Sequence, residues 1–534
     1  MLTYFVIAPI LIAVFLYLFS STRSSRVIAI IAQAAIAIFT FNLFIESRQG
    51  EILTVVGGYR GVLGITLKAD MISSTLVMVT AILFLLAAIY GLKEPSSKLY
   101  WLLMFIWEGL LIGIFFSRDF FNVFVLLEVA TLIVAVLIMY VREKRSMFDG
   151  LIFLMANTVA VQFYLFGIGY VYMLTGTLDM ETAGEVIATL DRSQLILPYG
   201  LIMTALAFKC ALIPLASWLP KVQAVPRAPS AVSAILSGLH IKCAVILFIR
   251  FQEMFAPITS NELFLVIGII TALTSVIMAF SQKDIRLILA YHSTAQVGLI
   301  ITGLNLGGEY AFTGSMYHAI NHAIFKSALF LSAGIIVRMY KTRDIYKIRG
   351  LRKRSPLLAA TTLMAILGIT GAPFFNGSIS KYFMMYEAGG VVFWALALIN
   401  FGTIISFVKY SGMFFGEDTS NKSVRIDANK QVSVAVLGFM CLFMGVFGVA
   451  IVDFLFGTNV KFSILGYTEK ALMFFISLSI AVISLRFIKQ TNPVLTRIRG
   501  IDLNFRGICI SVGAFFAVLL IFTEIQTLVQ SGGL

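Results

Sequence analysis

The chain has 534 residues, 60% of them hydrophobic and 12% charged, with a mean hydropathy of +0.97. That balance excludes a soluble globular domain and marks an integral membrane protein. The formal charge of +14 lies in short connections between apolar runs, as membrane orientation requires, which excludes nucleic acid as the partner and leaves the lipid bilayer.

Apolar windows of about 18 or more residues predict an all-α polytopic protein with sixteen crossing segments: 2–20, 27–45, 70–92, 99–117, 120–141, 150–174, 199–221, 227–250, 262–281, 286–306, 309–338, 356–388, 391–415, 432–456, 470–488 and 505–529. The first has neither a leading positive charge nor a small-residue cleavage site, so it is expected to be a retained helix rather than a signal peptide. Segment four carries Glu108, an acid that fits either a buried titrating role or a hydrogen-bonded packing role. Segment seven contains "FKCALIPLASWLP", where Pro214 cannot donate and frees the carbonyl of Cys210. Segment twelve contains "GITGAPFFNGSISK", with Gly371, Pro373 and Gly377 close together. Both are predicted to be broken, each next to a lysine, Lys209 and Lys381. Cys210, Cys243, Cys441 and Cys509 fall in hydrophobic segments without CxxC spacing, so no iron–sulfur, zinc or disulfide framework and no cofactor is expected.

The loops test the count. Connections after odd-numbered segments are basic: Arg23 and Arg26, then Arg142, Lys144 and Arg145, then eight Lys or Arg from Arg338 to Arg354. Those after even-numbered segments lean acidic, with Asp179, Glu181, Glu185 and Asp191, then Glu253 and Glu262, then Glu309 and Glu387. The positive-inside rule places the odd loops in the cytoplasm and both termini outside a prokaryotic cell membrane. The expected units are three N-terminal helices in 1–98, a five-helix repeat in 99–250 (segments four to eight), a second in 262–415 (nine to thirteen), and segments fourteen to sixteen in 432–534. Five helices is an odd number, so the repeats would insert with opposite topology, and paired broken helices point to a transporter's working site.

Charged residues inside crossing segments are costly and read as functional. Glu128 lies about three residues, or roughly 4 Å, from the midpoint of segment five. Lys209, Lys242 and His322 lie similarly near the centres of segments seven, eight and eleven, and Lys381 falls nearer the outer end of segment twelve. In "HAINHAIFKSALFLSAGI", spacings of four place His318, His322 and Lys326 on one helix face. A row at common depth suits lateral proton passage. Burial lowers and a nearby carboxylate raises the proton affinity of a lysine, so moving Glu128 relative to Lys209 would switch it, and histidine can shuttle between lysines. The spacing of His318 and His322 also suits a metal, but "HAINH" lacks the glutamate of HExxH and a third ligand, so no metal site is expected.

These stretches, with "FFNVFVLLEV", "YMLTGTLDM", "FKCALIPLASWLPKVQAVPRAPSAVSAILSGLHIKCAV", "FSQKDIRLILAYHSTAQVGLI", "HAINHAIFKSALFLSAG" and "GAPFFNGSISK", resemble the antiporter-like membrane subunits shared by Mrp-type cation/proton antiporters, respiratory NADH:quinone oxidoreductase and membrane-bound hydrogenases. The likeness spans about residues 70–456 and is strongest to the D-type subunits of Mrp antiporters. It implies a fourteen-helix core, a proton-transfer role for Glu128, Lys209, Lys242, His318, His322, Lys326 and Lys381, and partner membrane subunits in a hetero-oligomeric complex. Arg227 and Glu108 depart from the family pattern, and residues 457–534 extend beyond the core. The leading expectation is a proton-translocating subunit of a multisubunit Na+/H+ antiporter. The alternatives are the proton-pumping arm of a redox complex and a non-transporting membrane scaffold. Whether sodium is moved as well as protons stays open at this level.

Overall fold

The computed structural model describes all residues except 20–21, 59–63, 95–96, 226–227, 260, 422, 459, 489–491 and 531–534; Arg227 thus lies outside the described residues. Among the described residues sixteen crossings are present. Crossings 1 to 6 are Leu2–Phe19, Thr22–Ser47, Met71–Gly91, Lys98–Phe116, Phe120–Met139 and Lys144–Thr175. Crossing 7 is broken into Arg192–Lys209, Leu215–Ser217 and Trp218–Gln223. Crossings 8 to 11 are Ser230–Met254, Asn261–Ser281, Ile285–Leu304 and Glu309–Tyr340. Crossing 12 is broken into Pro356–Thr370 and Asn376–Glu387, and crossing 13 is Gly390–Phe414. Crossing 14 joins Ala428–Val446 to Gly448–Phe456, and crossings 15 and 16 are Ile464–Phe487 and Phe505–Gln530.

Burial sorts these helices. All of the apolar window of crossing 8 is buried, 89% of that of crossing 11 and 83% of those of crossings 4 and 10, against 22% for crossing 1 and 11% for crossing 15. The polar residues therefore concentrate in a central set, while the rim presents apolar side chains to lipid. Crossing 1 packs on 4, 2 on 3, 15 on 13, and 16 on 6 and 7.

Both breaks satisfy their backbone internally, as a bilayer demands. In crossing 7, Trp218 Nε1 donates to the Phe208 carbonyl (3.0 Å), and the Ile213 N–H donates to Thr271 Oγ1 of crossing 9 (3.0 Å). In crossing 12, Gly371 ends the first half at φ +75°, where a left-handed residue is the usual helix stop. A Cβ on Gly377 would sit 2.0 Å from the Gly368 carbonyl oxygen, so only glycine lets the two halves overlap. Asn321 Nδ2 donates to the Asn376 carbonyl (3.0 Å) and the Phe374 N–H to Tyr467 Oη of crossing 15 (3.0 Å).

Two features recur at matching places. Asp119 bridges Asp179 antiparallel, with Phe120 N–H to Leu178 O (3.0 Å) and Met180 N–H to Arg118 O (2.8 Å); Asp284 bridges Asp344, with Ile285 N–H to Arg343 O (2.8 Å) and Ile345 N–H to Lys283 O (2.9 Å). Five crossings separate the first bridge from the second, so they lie on opposite faces. Likewise Arg250 at the end of crossing 8 donates to the Phe115 (2.6 Å) and Ser117 (3.2 Å) carbonyls closing crossing 4. Lys409 of crossing 13 donates to the Phe280 (2.5 Å) and Gln282 (2.8 Å) carbonyls closing crossing 9.

A β-hairpin, Ile52–Val56 paired with Ile65–Ala69, stands between crossings 2 and 3. Asp70 caps crossing 3 by accepting from the Ser73 N–H (2.7 Å) and pairs with Arg118. Burial pushes the Asp70 carboxyl up, but Arg118, the Ser73 N–H and Arg250 outweigh it and hold it below its ordinary value.

Candidate functional site

Crossing 8 carries a π-turn at Leu236–His240, a widening that exposes carbonyls and marks working positions. The following turn places Lys242 in the interior, where its Nζ donates to the Ser237 carbonyl (3.1 Å) and meets His322 Nδ1 of crossing 11 directly. His322 Nδ1 must then accept while Lys242 is an ammonium. Ser237 Oγ lies 2.8 Å from Ser293 Oγ of crossing 10, and Ser293 in turn donates to the Leu289 carbonyl (3.1 Å). Lys326 Nζ donates to that same carbonyl at 2.5 Å. Lys242 and Lys326 are thus joined through a polar chain of Ser237, Ser293 and Leu289, and Lys242 also touches the imidazole.

His318, one turn from His322, faces different partners: Ser380 Oγ of crossing 12 lies 2.8 Å from its Nδ1, and its Nε2 donates to Gln296 Oε1 of crossing 10 (2.9 Å). The two histidines point to separate neighbours rather than a shared ligand. Ser380 adjoins Lys381, whose Nζ donates to the Ile369 carbonyl (2.7 Å) and to Asn400 Oδ1 of crossing 13 (2.8 Å). Ile369 closes the first half of crossing 12, so the ammonium caps a helix C-terminus across the break.

On the other side of Lys242, Lys209 is the last residue of the first half of crossing 7, and its Nζ donates to Thr131 Oγ1 of crossing 5 at 2.8 Å. Glu128, a turn before Thr131, accepts from Thr158 Oγ1 (3.2 Å). Glu128 and Lys209 act on each other electrostatically, but the lysine's hydrogen bond goes to Thr131 rather than to the carboxylate. Glu108 stands apart, buried between crossings 2 and 4, where Gln33 Nε2 donates to its Oε2.

Several members carried no sequence signal. Thr131, Ser237, Ser293, Gln296 and Asn400 are neutral residues of kinds common in membrane helices. His240, within electrostatic reach of Lys209, accepts from Trp107 Nε1 (3.4 Å). His292 lies 2.8 Å from Ser406 Oγ and feels the charges of Lys326, Lys409 and Lys381. Both are lone histidines without helical-spacing partners. The whole is a buried row running through crossings 5, 7, 8, 11 and 12, in which basic groups alternate with hydroxyls, amides and carbonyls. Such a row places proton-binding lysines and histidines in series; the carbonyls between them only accept, so transfer from one to the next runs through an imidazole, a hydroxyl or water.

The transmembrane family described as NADH:quinone oxidoreductase/Mrp antiporter matches residues 117–406. The D-type subunit of the Na(+)/H(+) antiporter of Alkalihalophilus pseudofirmus is 29% identical over 448 residues, covering 81% of this chain and 90% of its own length. The N-type subunit of the NADH-quinone oxidoreductase of Desulforudis audaxviator is 31% identical over 362 residues, 65% of this chain and 71% of that one. One component of the Mrp complex from a Dietzia species superposes with a TM-score of 0.80 at 22% identity, over 93% of this chain and 99% of the other, which shows a shared fold.

Proposed function

The chain belongs to the NADH:quinone oxidoreductase/Mrp antiporter transmembrane family, and from that premise we propose that it is the proton-translocating subunit of a multisubunit Na+/H+ antiporter. The observation that carries this reading is the Lys242–His322 contact, continued through Ser237, Ser293 and Leu289 to Lys326. Protons load beside Glu128 and Lys209, cross the row, and leave from Lys381. Sodium is the exchanged ion by analogy with the Alkalihalophilus antiporter relative, and neighbouring membrane subunits complete its path.

The same reading takes the basic loops as cytoplasmic and both termini as outside the cell membrane. It takes 99–250 and 262–415 as inverted repeats flanked by 1–98 and 432–534. The recurring aspartate bridges and the recurring caps by Arg250 and Lys409 support those repeats.

The test is proton uptake by membrane vesicles holding the assembled complex, driven by an imposed sodium gradient. Lys242→Ala and Lys209→Ala should each lower the rate by about 100-fold, the scale of a lost proton-transfer group, with unchanged assembly. Near-normal uptake in either variant overturns the assignment. The Desulforudis oxidoreductase relative favours one second reading, a pumping arm of a redox complex. Purification of the intact complex decides between them, since iron–sulfur absorbance in co-purifying subunits would support the redox arm and its absence the antiporter.

A further inference from the structure

Crossing 15 lies beyond the fourteen-helix core, and it is the least buried of the long apolar helices among the described residues. It is nonetheless tied to the break in crossing 12 by polar contacts. Tyr467 Oη accepts from the Phe374 N–H (3.0 Å) and lies 2.9 Å from Ser378 Oγ, while the Ser463 N–H, just before the helix, donates to Tyr382 Oη (3.3 Å). Between crossings 12, 13 and 15 lies a recess of about 50 Å3, with Lys381, Ser378 and Asn400 on the core walls and Tyr467, Lys470 and Ser477 on the wall from crossing 15.

Without that third wall, the Lys381 ammonium and its partner Asn400 would face acyl chains, where an unmatched charge is costly and irregular backbone is not tolerated. With it, the Tyr467 and Ser477 hydroxyls join Lys381, Ser378 and Asn400 in a lining that also includes Met385, Met473 and Phe474, and the space has room for a few waters with polar partners. Lys470 Nζ sits 3.9 Å from the centre of the Phe393 ring, which keeps a fixed cation in the same wall. By contrast, the recess beside the break in crossing 7, walled by Ile501, Leu503 and their neighbours, is lined mainly by apolar side chains and holds none of the row's lysines.

We propose that crossing 15 is a working part of the translocation path: the sealing wall of a hydrated recess into which Lys381 releases its proton, with Tyr467 and Ser477 positioning the water. This rests on the reading of Lys381 as the end of the row. The step is a plain proton transfer, in which one N–H bond of the ammonium breaks and one O–H bond forms on a recess water, leaving a neutral amine that the row reprotonates. Tyr467 and Lys470 lie in the first two turns of crossing 15 and Ser477 in its fourth, so the recess lies in the half of the helix nearer its N-terminal end. That is the acidic-loop face, outside by the loop charges. The Lys470 charge repels sodium from this mouth without stopping a proton relayed through water.

The experiment uses the intact complex in native membranes, in a background lacking the four native cysteines, with a small hydrophilic thiol reagent added from the acidic-loop side. Ala471→Cys and Ser477→Cys face the recess. Leu472→Cys and Ile476→Cys, at positions 62% and 50% exposed, face away from it. Because only a hydrated thiol ionises and reacts, the first pair should label about tenfold faster or more, and labelling should cut proton transport several-fold. Equal labelling of both pairs, or labelling of Ala471→Cys without loss of transport, overturns the proposal. If Lys381→Ala abolishes transport while Ala471→Cys neither labels nor blocks, the row stands and the recess assignment falls. If transport survives Lys381→Ala although Ala471→Cys labels, the row reading itself fails, and with it the release step.

Discussion

Lys209 Nζ is held by Thr131 Oγ1 at 2.8 Å, not by Glu128, which stands one turn earlier on the same helix. The hydroxyl donates to the Leu127 carbonyl (2.7 Å), so Thr131 is a fixed acceptor that competes with the carboxylate for the lysine. Thr131→Val keeps the shape and removes that acceptor. A hydrogen bond to a charged group contributes about 1.5–3 kcal/mol, so proton uptake should change by about tenfold or more, while Thr131→Ser stays near wild type. Equal rates in both variants would show that the hydroxyl plays no part in setting the lysine's position.

The histidines should differ. His322 touches Lys242 directly, whereas His318 bonds only neutral groups, Ser380 and Gln296. Glutamine preserves hydrogen bonding but not titration. His322→Gln should slow vesicle proton uptake at least several-fold, more than His318→Gln does, with normal protein levels. If both transport normally but lose thermal stability, the pair serves packing and the proton passes from Lys242 to Lys326 through water alone.

Glu108 and Gln33 share one hydrogen bond, and each keeps a buried Oε1 without a partner. A proton on Glu108 Oε1, donated to Gln33 Oε1, satisfies both atoms at once in a cyclic acid–amide pair. Among the described residues no charged group reaches the carboxyl, and Gln33 is its polar partner. Glu108 is therefore expected to be neutral at pH 7. Glu108→Gln should fold and assemble as wild type and erase an infrared band of a protonated carboxyl, while Glu108→Ala, which orphans Gln33, should cost about 1–3 kcal/mol of stability. A Glu108→Gln spectrum identical to wild type contradicts the neutral acid.

Asp70 gives a pH signature outside the membrane. Its folded value lies below the unfolded one, about 3.9, so its contribution is complete above that pH and is lost as pH falls through the folded value. The stability gap between wild type and Asp70→Asn should be widest above about pH 4 and close on further acidification, measured by thermal unfolding across pH. A gap that widens toward acid would contradict the Arg118 pairing.

Orientation is checked by accessibility. Ala183 is fully buried on the short helix Met180–Ile187, so the reporter belongs at exposed Glu181, with Lys347 for the opposite face. Single cysteines there should label from outside and from the cytoplasm respectively. Labelling of both from one side would invert or break the helix order between them.

The sixteen crossings and both breaks were legible because hydropathy, proline and glycine act along the chain. Counting along the chain puts Lys381 near the outer end, and what counting could not show is that the chain turns at Gly371 so that its Nζ reaches back to Ile369. Rotation about a helix axis leaves no such trace, so Glu128 and Lys209 could be read as acting on each other, but the Thr131 hydroxyl that holds the lysine could not. The hairpin did leave a signal, β-branched runs on either side of a glycine-rich turn, obscured by stronger apolar neighbours. Lys409 reads in sequence as a cation near a helix end, and only packing shows it closing crossing 9.

That last residue separates two otherwise matching anchorages. Arg250 fastens the end of crossing 4 with a guanidinium that keeps its charge at any pH a cell meets, whereas Lys409 fastens crossing 9 with an amine that can lose a proton. A neutral amine donates weakly to two carbonyls and has no charge to complement the helix terminus. The Arg250 anchorage thus keeps its charge, whereas loss of the Lys409 proton would weaken the second anchorage and leave the packing of crossing 9 on crossing 13 in place. Two anchorages of like geometry are in this way given unequal strength.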